Sequence, residues 1–222
     1  AARIAPLSIV APAQAIGARL VSVAARDRSR AEDFAAEHGI ERTADSYDAI
    51  LEDPDVEVVY NPLPNGLHAP WNIRALEAGK HVISEKPSAA NAAQAREVRA
   101  AARASGRVFL EAFHYPYHPM FRRVEDLLRE GAVGEIEHIS VPLLMPDPGA
   151  ADPRWQLDLA GGSVMDLGCY SFSCLKLLGE QFCGGSPTVV EAHAEEYVPN
   201  VDARLFAGFR FPSGATGSGG SD

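Results

Sequence analysis

Between residues 18 and 112, β-rich apolar runs alternate with Ala-rich stretches at short spacing, and few folds accept that alternation. Ala18–Arg26 reads as a strand buried on both faces. Ser29 can N-cap the helix that follows, which ends at His38-Gly39. A short helix over Ser46–Leu51 is broken by Asp53-Pro54, and Val56–Tyr60 is the next strand. A helix running to Ala78-Gly79 leads into the strand His81–Ser84. Asn91 caps a long helix to Ser105-Gly106, and Arg107–Glu111 is a further strand. Successive strands joined through helices run parallel, so this region is predicted to be a parallel sheet with helices on both faces.

The pattern changes near residue 113, which divides the chain into predicted domains 1–113 and 114–222. A helix near Pro119–Glu130 and a strand over Glu135–Val141 precede a loop dense in Pro and Asp, Met145–Pro153. Another helix opens at Gly161-Gly162-Ser163. The strand-like runs Thr188–Val198 and Ala203–Phe211 flank Pro199-Asn200, so the second region reads as α+β with a mainly antiparallel sheet. The Gly/Ser-rich end reads as low complexity. Both ends look cut, and the chain is expected to be a fragment with material missing at both termini.

Acidic residues outnumber basic ones, 30 against 20, and the net charge of −10 disfavours nucleic acid or an anionic membrane as partner. No apolar run is long enough to span a membrane. Cys169, Cys174 and Cys183 form neither an even disulfide set nor a metal-ligand spacing, which points to a reducing compartment and a cytoplasmic location.

The chemistry concentrates at a few positions. Lys86, between Glu85 and Pro87, follows the run His81–Ser84 and therefore stands at the carboxyl edge of the predicted sheet, where open α/β folds bind ligands. A solvated Glu-Lys pair at a strand end is the plainer reading. Ala1-Ala2-Arg3-Ile4-Ala5-Pro6 occupies the place of a dinucleotide phosphate loop; Ala2 and Ala5 suit its small positions, and an Ala-rich helix start is the alternative. The next strand ends Ala24-Ala25-Arg26-Asp27, without the acid that binds NAD ribose. A small residue followed by arginine suits a 2′-phosphate, so Arg26 is either an NADP ligand or a solvated loop residue. Asp166 and Tyr170 are four apart on a mostly apolar helix and share a face. Tyr170 is either the proton donor and acceptor or a packed structural tyrosine. An ammonium near it, such as Lys86, would lower its pKa and steady an alkoxide. Asp166 would orient substrate hydroxyls or hold Lys86. His114 and His118 have a metal-like spacing, but Pro116 between them breaks a regular helix, and no metal is expected.

Three segments occur in order: Pro62-Leu63-Pro64-Asn65-Gly66-Leu67-His68, Glu85-Lys86-Pro87, and Gly161-Gly162-Ser163-Val164-Met165-Asp166-Leu167-Gly168-Cys169-Tyr170. With them the chain resembles the Gfo/Idh/MocA oxidoreductases from Ala1 to about Thr216. It is most similar to the branch containing glucose–fructose oxidoreductase, NADP-dependent xylose dehydrogenase and dihydrodiol dehydrogenase. Ser163 and Tyr170 depart from the Gly and His common in the family, and Tyr170 suits that branch. The resemblance implies a Rossmann domain followed by an α+β domain whose open sheet makes a homo-oligomer. It implies hydride transfer between NADP, less readily NAD, and a sugar, polyol or cyclic diol. It places catalysis on Lys86, Tyr170 and Asp166. Cofactor contacts fall to Ala2, Arg3, Ile4, Arg26, Pro62, Asn65, His68, Glu85 and Lys86, although His68 is equally readable as a structural residue of a helix N-terminus. Tyr115 and Tyr117, in the aromatic run Phe113–His118, and Trp155 are weaker candidates for the substrate pocket, the run serving otherwise as a domain junction. A cis Lys86–Pro87 bond is also implied. A dinucleotide sensor of the same fold without catalysis is the rival reading.

Overall fold

The computed structural model describes residues 1–222, and the chain divides into two compact units, Ala1–Ala112 and Phe113–Asp222. In the first, a π-helical turn over Pro6–Val10 runs into α1 (Ala11–Ala15). There follow β1 (Ser22–Val23), α2 (Arg28–His38), β2 (Arg42–Thr43), α3 (Tyr47–Glu52), β3 (Val58–Asn61), α4 (Asn65–Glu77), β4 (His81–Ser84), α5 (Ala92–Ser105) and β5 (Phe109–Glu111). Every strand pairing here is parallel, in the ladders β1-β2 and β3-β4-β5. Leu51, Ala69, Ala75, Leu76, Val82 and Val98 form the core between sheet and helices.

Two local expectations need correction. The first strand spans two residues, not nine, because its register with β2 covers only Ser22 and Val23. The backbone before it is still engaged: the Leu20 and Val21 carbonyls accept from Glu41 and Arg42. The N-cap of α2 is Asp27, not Ser29. Asp27 is extended (φ −105°, ψ 119°), so its carboxylate reaches back to accept from the Ser29 N–H and hydroxyl, each at 2.9 Å. Asn91 caps α5 as expected, Ser46 is the N-cap of α3 rather than its first residue, and Gly39 closes α2 at φ +66°.

The second unit begins with a 3₁₀ turn at Tyr115–Tyr117 and α6 (Pro119–Arg129), then β6 (His138–Leu143). After 3₁₀ turns at Pro153–Trp155 and Leu157–Leu159, a π-helical turn Val164–Gly168 leads into α7 (Cys169–Phe182). β7 (Thr188–Val198), β8 (Val201–Arg210) and β9 (Thr216–Ser221) complete a sheet ordered β6-β9-β8-β7. The sheet is mixed: β7-β8 and β8-β9 are antiparallel, while β6-β9 is parallel.

The Gly/Ser end is therefore not a low-complexity tail but the inner strand β9. Its glycines have a packing reason. A Cβ on Gly219 would lie 2.3 Å from Ser171 Oγ of α7, and one on Gly220 would lie 2.1 Å from the Leu205 carbonyl oxygen. Ser171 uses the close approach: its hydroxyl donates to the Val141 carbonyl at 2.5 Å and accepts from Gly220 N–H at 3.1 Å. Leu175, Ala207, Phe209 and Phe211 fill the core on that face. No helix is long and apolar enough to cross a membrane.

Candidate active site

In the first unit the candidate residues gather where parallel strands end. The Ala1 amino group lies 3.4 Å from the Ala24 carbonyl just after β1, and Arg30 donates to the Ala1 carbonyl at 3.2 Å. Residues 1–4 thus sit beside the strand end, with Ala5 buried behind them. Ala25 is half-buried and Arg26 is exposed, with Asp27 committed to its cap. Near the end of β3, the Tyr60 phenol donates to Glu85 Oε1 at 2.6 Å, and Ser8 Oγ lies 2.6 Å from the same phenol oxygen. Glu85 is thereby tied to the N-terminal helical segment. The Lys86–Pro87 bond is cis, as the resemblance implies.

Beneath Lys86 lies a buried polar network that the sequence did not disclose. Asn61, His68, Asn72 and Ser84 are buried, the last three completely. Asn61 Nδ2 donates to Asn72 Oδ1 at 2.8 Å, and Asn72 Nδ2 donates to Ser84 Oγ at 2.9 Å and to the Ser88 carbonyl at 3.1 Å. Ser84 Oγ passes the chain on to the Glu85 carbonyl at 3.0 Å. The Ser88 N–H is taken by Glu111 at 2.6 Å. Buried amides survive because each finds partners.

His68 is a cofactor candidate by sequence, yet its ring is sealed inside. Nδ1 lies 2.7 Å from the Pro87 carbonyl and Nε2 lies 2.5 Å from the Leu63 carbonyl. Both partners only accept. A neutral imidazole has one N–H to offer, so the ring donates to one of the two carbonyls and packs its other nitrogen against the second. Burial holds the ring's pKa below the ordinary histidine value; the two carbonyls and Glu85 pull the other way, and Lys86 adds to the depression. Pro62 and Asn65, in the same loop, are half-buried.

The second unit places Asp166 and Tyr170 at the junction of the π-helical turn with α7. The turn is fixed from below by Asp202 of β8, whose Oδ2 accepts from Ser163 Oγ at 2.6 Å and from the Val164 N–H at 2.8 Å. Gly162, at φ +120°, has no room for a side chain, because a Cβ there would sit 2.3 Å from Asp202 Oδ1. Asp166 pairs with Arg154, Nε to Oδ2 at 2.9 Å, and Arg154 also faces Asp152 at 3.7 Å. The Tyr170 ring is half-buried among Phe113 (5.2 Å between centroids), His114 (5.7 Å) and Tyr115 (6.4 Å), so much of the aromatic run clasps it.

Tyr115 bonds Ser173 at 2.9 Å through its hydroxyl, while Tyr117 is exposed. Trp155 stacks on Tyr197 at 4.4 Å and 22°, which covers one indole face, and its buried Nε1 has no hydrogen-bond partner. Burial raises the Cys174 thiol to about 11, so this group is no nucleophile at neutral pH. The one clue in sequence to Asn72 was its place four residues after His68 on one helix; nothing pointed to Asp202, which is distant in the chain.

One unit thus presents an ammonium and a strand end whose acid, Asp27, is taken up in a helix cap, the other a phenol and an ion-paired carboxylate. Known proteins combine the same parts. Residues 3–113 match an oxidoreductase family with an NAD-binding Rossmann fold, and residues 121–221 match the Gfo/Idh/MocA C-terminal domain. A D-xylose 1-dehydrogenase (NADP(+)) of Haloferax volcanii is 38% identical over 211 residues, 94% of this chain and 63% of that protein. The trans-1,2-dihydrobenzene-1,2-diol dehydrogenase of Bos taurus is 34% identical over 203 residues, 90% of this chain and 58% of that protein. The crystal structure of a 3-ketoreductase from Actinomadura kijaniata in complex with NADP and TDP-benzene superposes with a TM-score of 0.89 at 33% identity, covering 99% of this chain and 67% of that one. The chain spans less than two thirds of the length of both curated relatives. Matched by both of the family's domains in order, over residues 3–113 and 121–221, the chain belongs to the Gfo/Idh/MocA oxidoreductase family.

Proposed function

We propose that the chain is the cofactor-binding and catalytic part of an NADP-dependent oxidoreductase acting on the CH–OH group of a sugar, polyol or cyclic diol. The observation that carries this reading is Lys86 at the carboxyl end of a parallel strand, with the backbone on either side of it held by a buried network. The strand end at Ala25-Arg26 fits NADP: it offers a small residue and an exposed guanidinium where NAD would need a carboxylate. Relatives named for NADP and for sugar or diol substrates support the same class.

The bound nicotinamide supplies hydride chemistry, so the protein's work is orientation and one proton. Tyr170 gives that proton to the forming alkoxide, or takes it from the alcohol. The Lys86 ammonium stabilises negative charge on the substrate oxygen. The Asp166 carboxylate, oriented by Arg154, accepts hydrogen bonds from substrate hydroxyls. Arg26 holds the 2′-phosphate; residues 2–4, Pro62, Asn65 and Glu85 contact the rest of the nucleotide. The reading extends to a cytoplasmic location, consistent with three free cysteines, and to a homo-oligomer formed through the C-terminal sheet.

The test is turnover of NADPH and NADH against a panel of aldoses, ketoses, polyols and cyclic diols. Lys86→Ala and Tyr170→Phe should each lower kcat about 10²–10⁴-fold, the usual worth of a proton-transfer group. Tight NADPH binding without turnover on any member of the panel would favour the sensor instead. Equal turnover in Tyr170→Phe would remove the phenol from the mechanism.

A further inference from the structure

We infer that His68 is a positioning residue for Lys86, acting through the backbone of the loop that carries it; this rests on the reading of Lys86 as a group that acts on the substrate. The backbone on both sides of Lys86 is held from below. The Glu85 carbonyl accepts from Ser84 Oγ, the Pro87 carbonyl lies 2.7 Å from His68 Nδ1, and the Ser88 carbonyl accepts from Asn72. His68 differs from the other anchors in what its second contact does. Nε2 lies 2.5 Å from the Leu63 carbonyl, in the loop that follows β3. One ring therefore spans the two loops leaving adjacent strands, β3 and β4, at the ligand-binding edge of the sheet.

Helix α4 supplies this strut from inside. His68 and Asn72 are four apart, lie on one face of the helix, and are both fully buried. A fully buried histidine and asparagine in place of core aliphatics would be costly if they did nothing but fill space, because each polar atom must be matched. The matches all run to the two loops and strand ends: Pro87, Leu63 and Ser88 carbonyls, the Ser84 hydroxyl and Asn61. Asn61 in turn donates to the His68 carbonyl at 3.2 Å, closing the network on the helix itself. His68 reaches no solvent, so its influence on a reaction passes through the loops it holds.

The experiment compares His68→Leu, which removes both contacts, with His68→Gln, whose amide keeps a donor. Folding is checked by circular dichroism. Two signals are then read: kcat and KM with NADPH, and the NMR resonance of the Lys86 Cε in protein labelled with ¹³C-lysine, assigned by its loss in Lys86→Arg. In His68→Leu we expect kcat to fall by up to about 10²-fold, the cost of a misplaced catalytic group, with KM for NADPH little changed and the Lys86 resonance shifted. His68→Gln should recover part of both. A folded His68→Leu protein with wild-type kcat and an unmoved Lys86 resonance overturns the inference. Should His68→Leu fail to fold, His68→Gln decides by the same signals, a wild-type profile in both counting against the role. Absence of turnover in the wild type would sink the proposed reaction, while the Lys86 resonance alone would still decide whether His68 positions it.

Discussion

Arg26 is exposed at a strand end whose own acid, Asp27, is occupied in capping α2. Removing the guanidinium and placing a carboxylate at the half-buried Ala25 should turn cofactor preference from NADP toward NAD. The double variant Ala25→Asp/Arg26→Ser is expected to lose affinity for NADPH by roughly tenfold or more, since a charge-assisted contact is worth about 1.5–3 kcal/mol; isothermal titration with both nucleotides measures it. His68 gives a prediction with a definite sign. Its pKa in the fold is depressed by burial, so the unfolded chain takes up the proton more readily. Stability should therefore be full above the ordinary histidine pKa of about 6.5 and decline as pH falls through it. Urea denaturation of the wild type at pH 8 and pH 5.5 should show that decline, and His68→Gln should flatten it. An identical slope in both proteins would assign the effect to other groups.

Helix α7 and the π-helical turn before it carry Asp166 and Tyr170, and their register depends on β8. Asp202 accepts from the Val164 N–H and the Ser163 hydroxyl, while Ser163 also meets Ser221 at 2.8 Å. Asp202→Ala leaves these donors without their acceptor, and should cost about 1–3 kcal/mol of stability by the usual penalty for unpaired buried groups. Gly162→Ala combines a backbone at φ +120° with a Cβ 2.3 Å from Asp202 Oδ1, so destabilisation of at least about 1–3 kcal/mol is expected. Thermal melts test both. The informative comparison is Gly162→Ala with Asp202→Ala: removing the carboxylate should relieve the clash and make the double variant less damaged than the sum of the singles.

Across the whole chain, both core clusters are built from apolar residues, and one stretch of exposed apolar surface lies on the four-stranded sheet. Every residue of β7 is exposed, the large apolar Val189 and Val190 among them, and Phe206 of the neighbouring β8 is exposed beside it. A long exposed edge strand ordinarily needs cover. If the protein assembles through this sheet, Val190→Lys should shift its sedimentation toward a smaller species without changing its circular dichroism. Unchanged sedimentation would place any assembly elsewhere.

What the sequence determined by itself is local and periodic. The alternation of strands and helices from 18 to 112, the cap at Asn91, the stop at Gly39, and Lys86 at the end of β4 all rest on neighbouring residues, so they were legible. Tertiary structure decided the rest, because the deciding partner lies far along the chain. The glycine-rich end is a strand because β6 and β8, distant in the chain, pair with it on either side, and its glycines let α7 and β8 approach closely. Asp166 is held by Arg154 across a loop, and Asp202 secures the turn 38 residues before it. His68 is a buried strut because two loops bring carbonyls to both sides of its ring. Periodicity shows which face of a helix is turned inward; it does not show which carbonyl waits there.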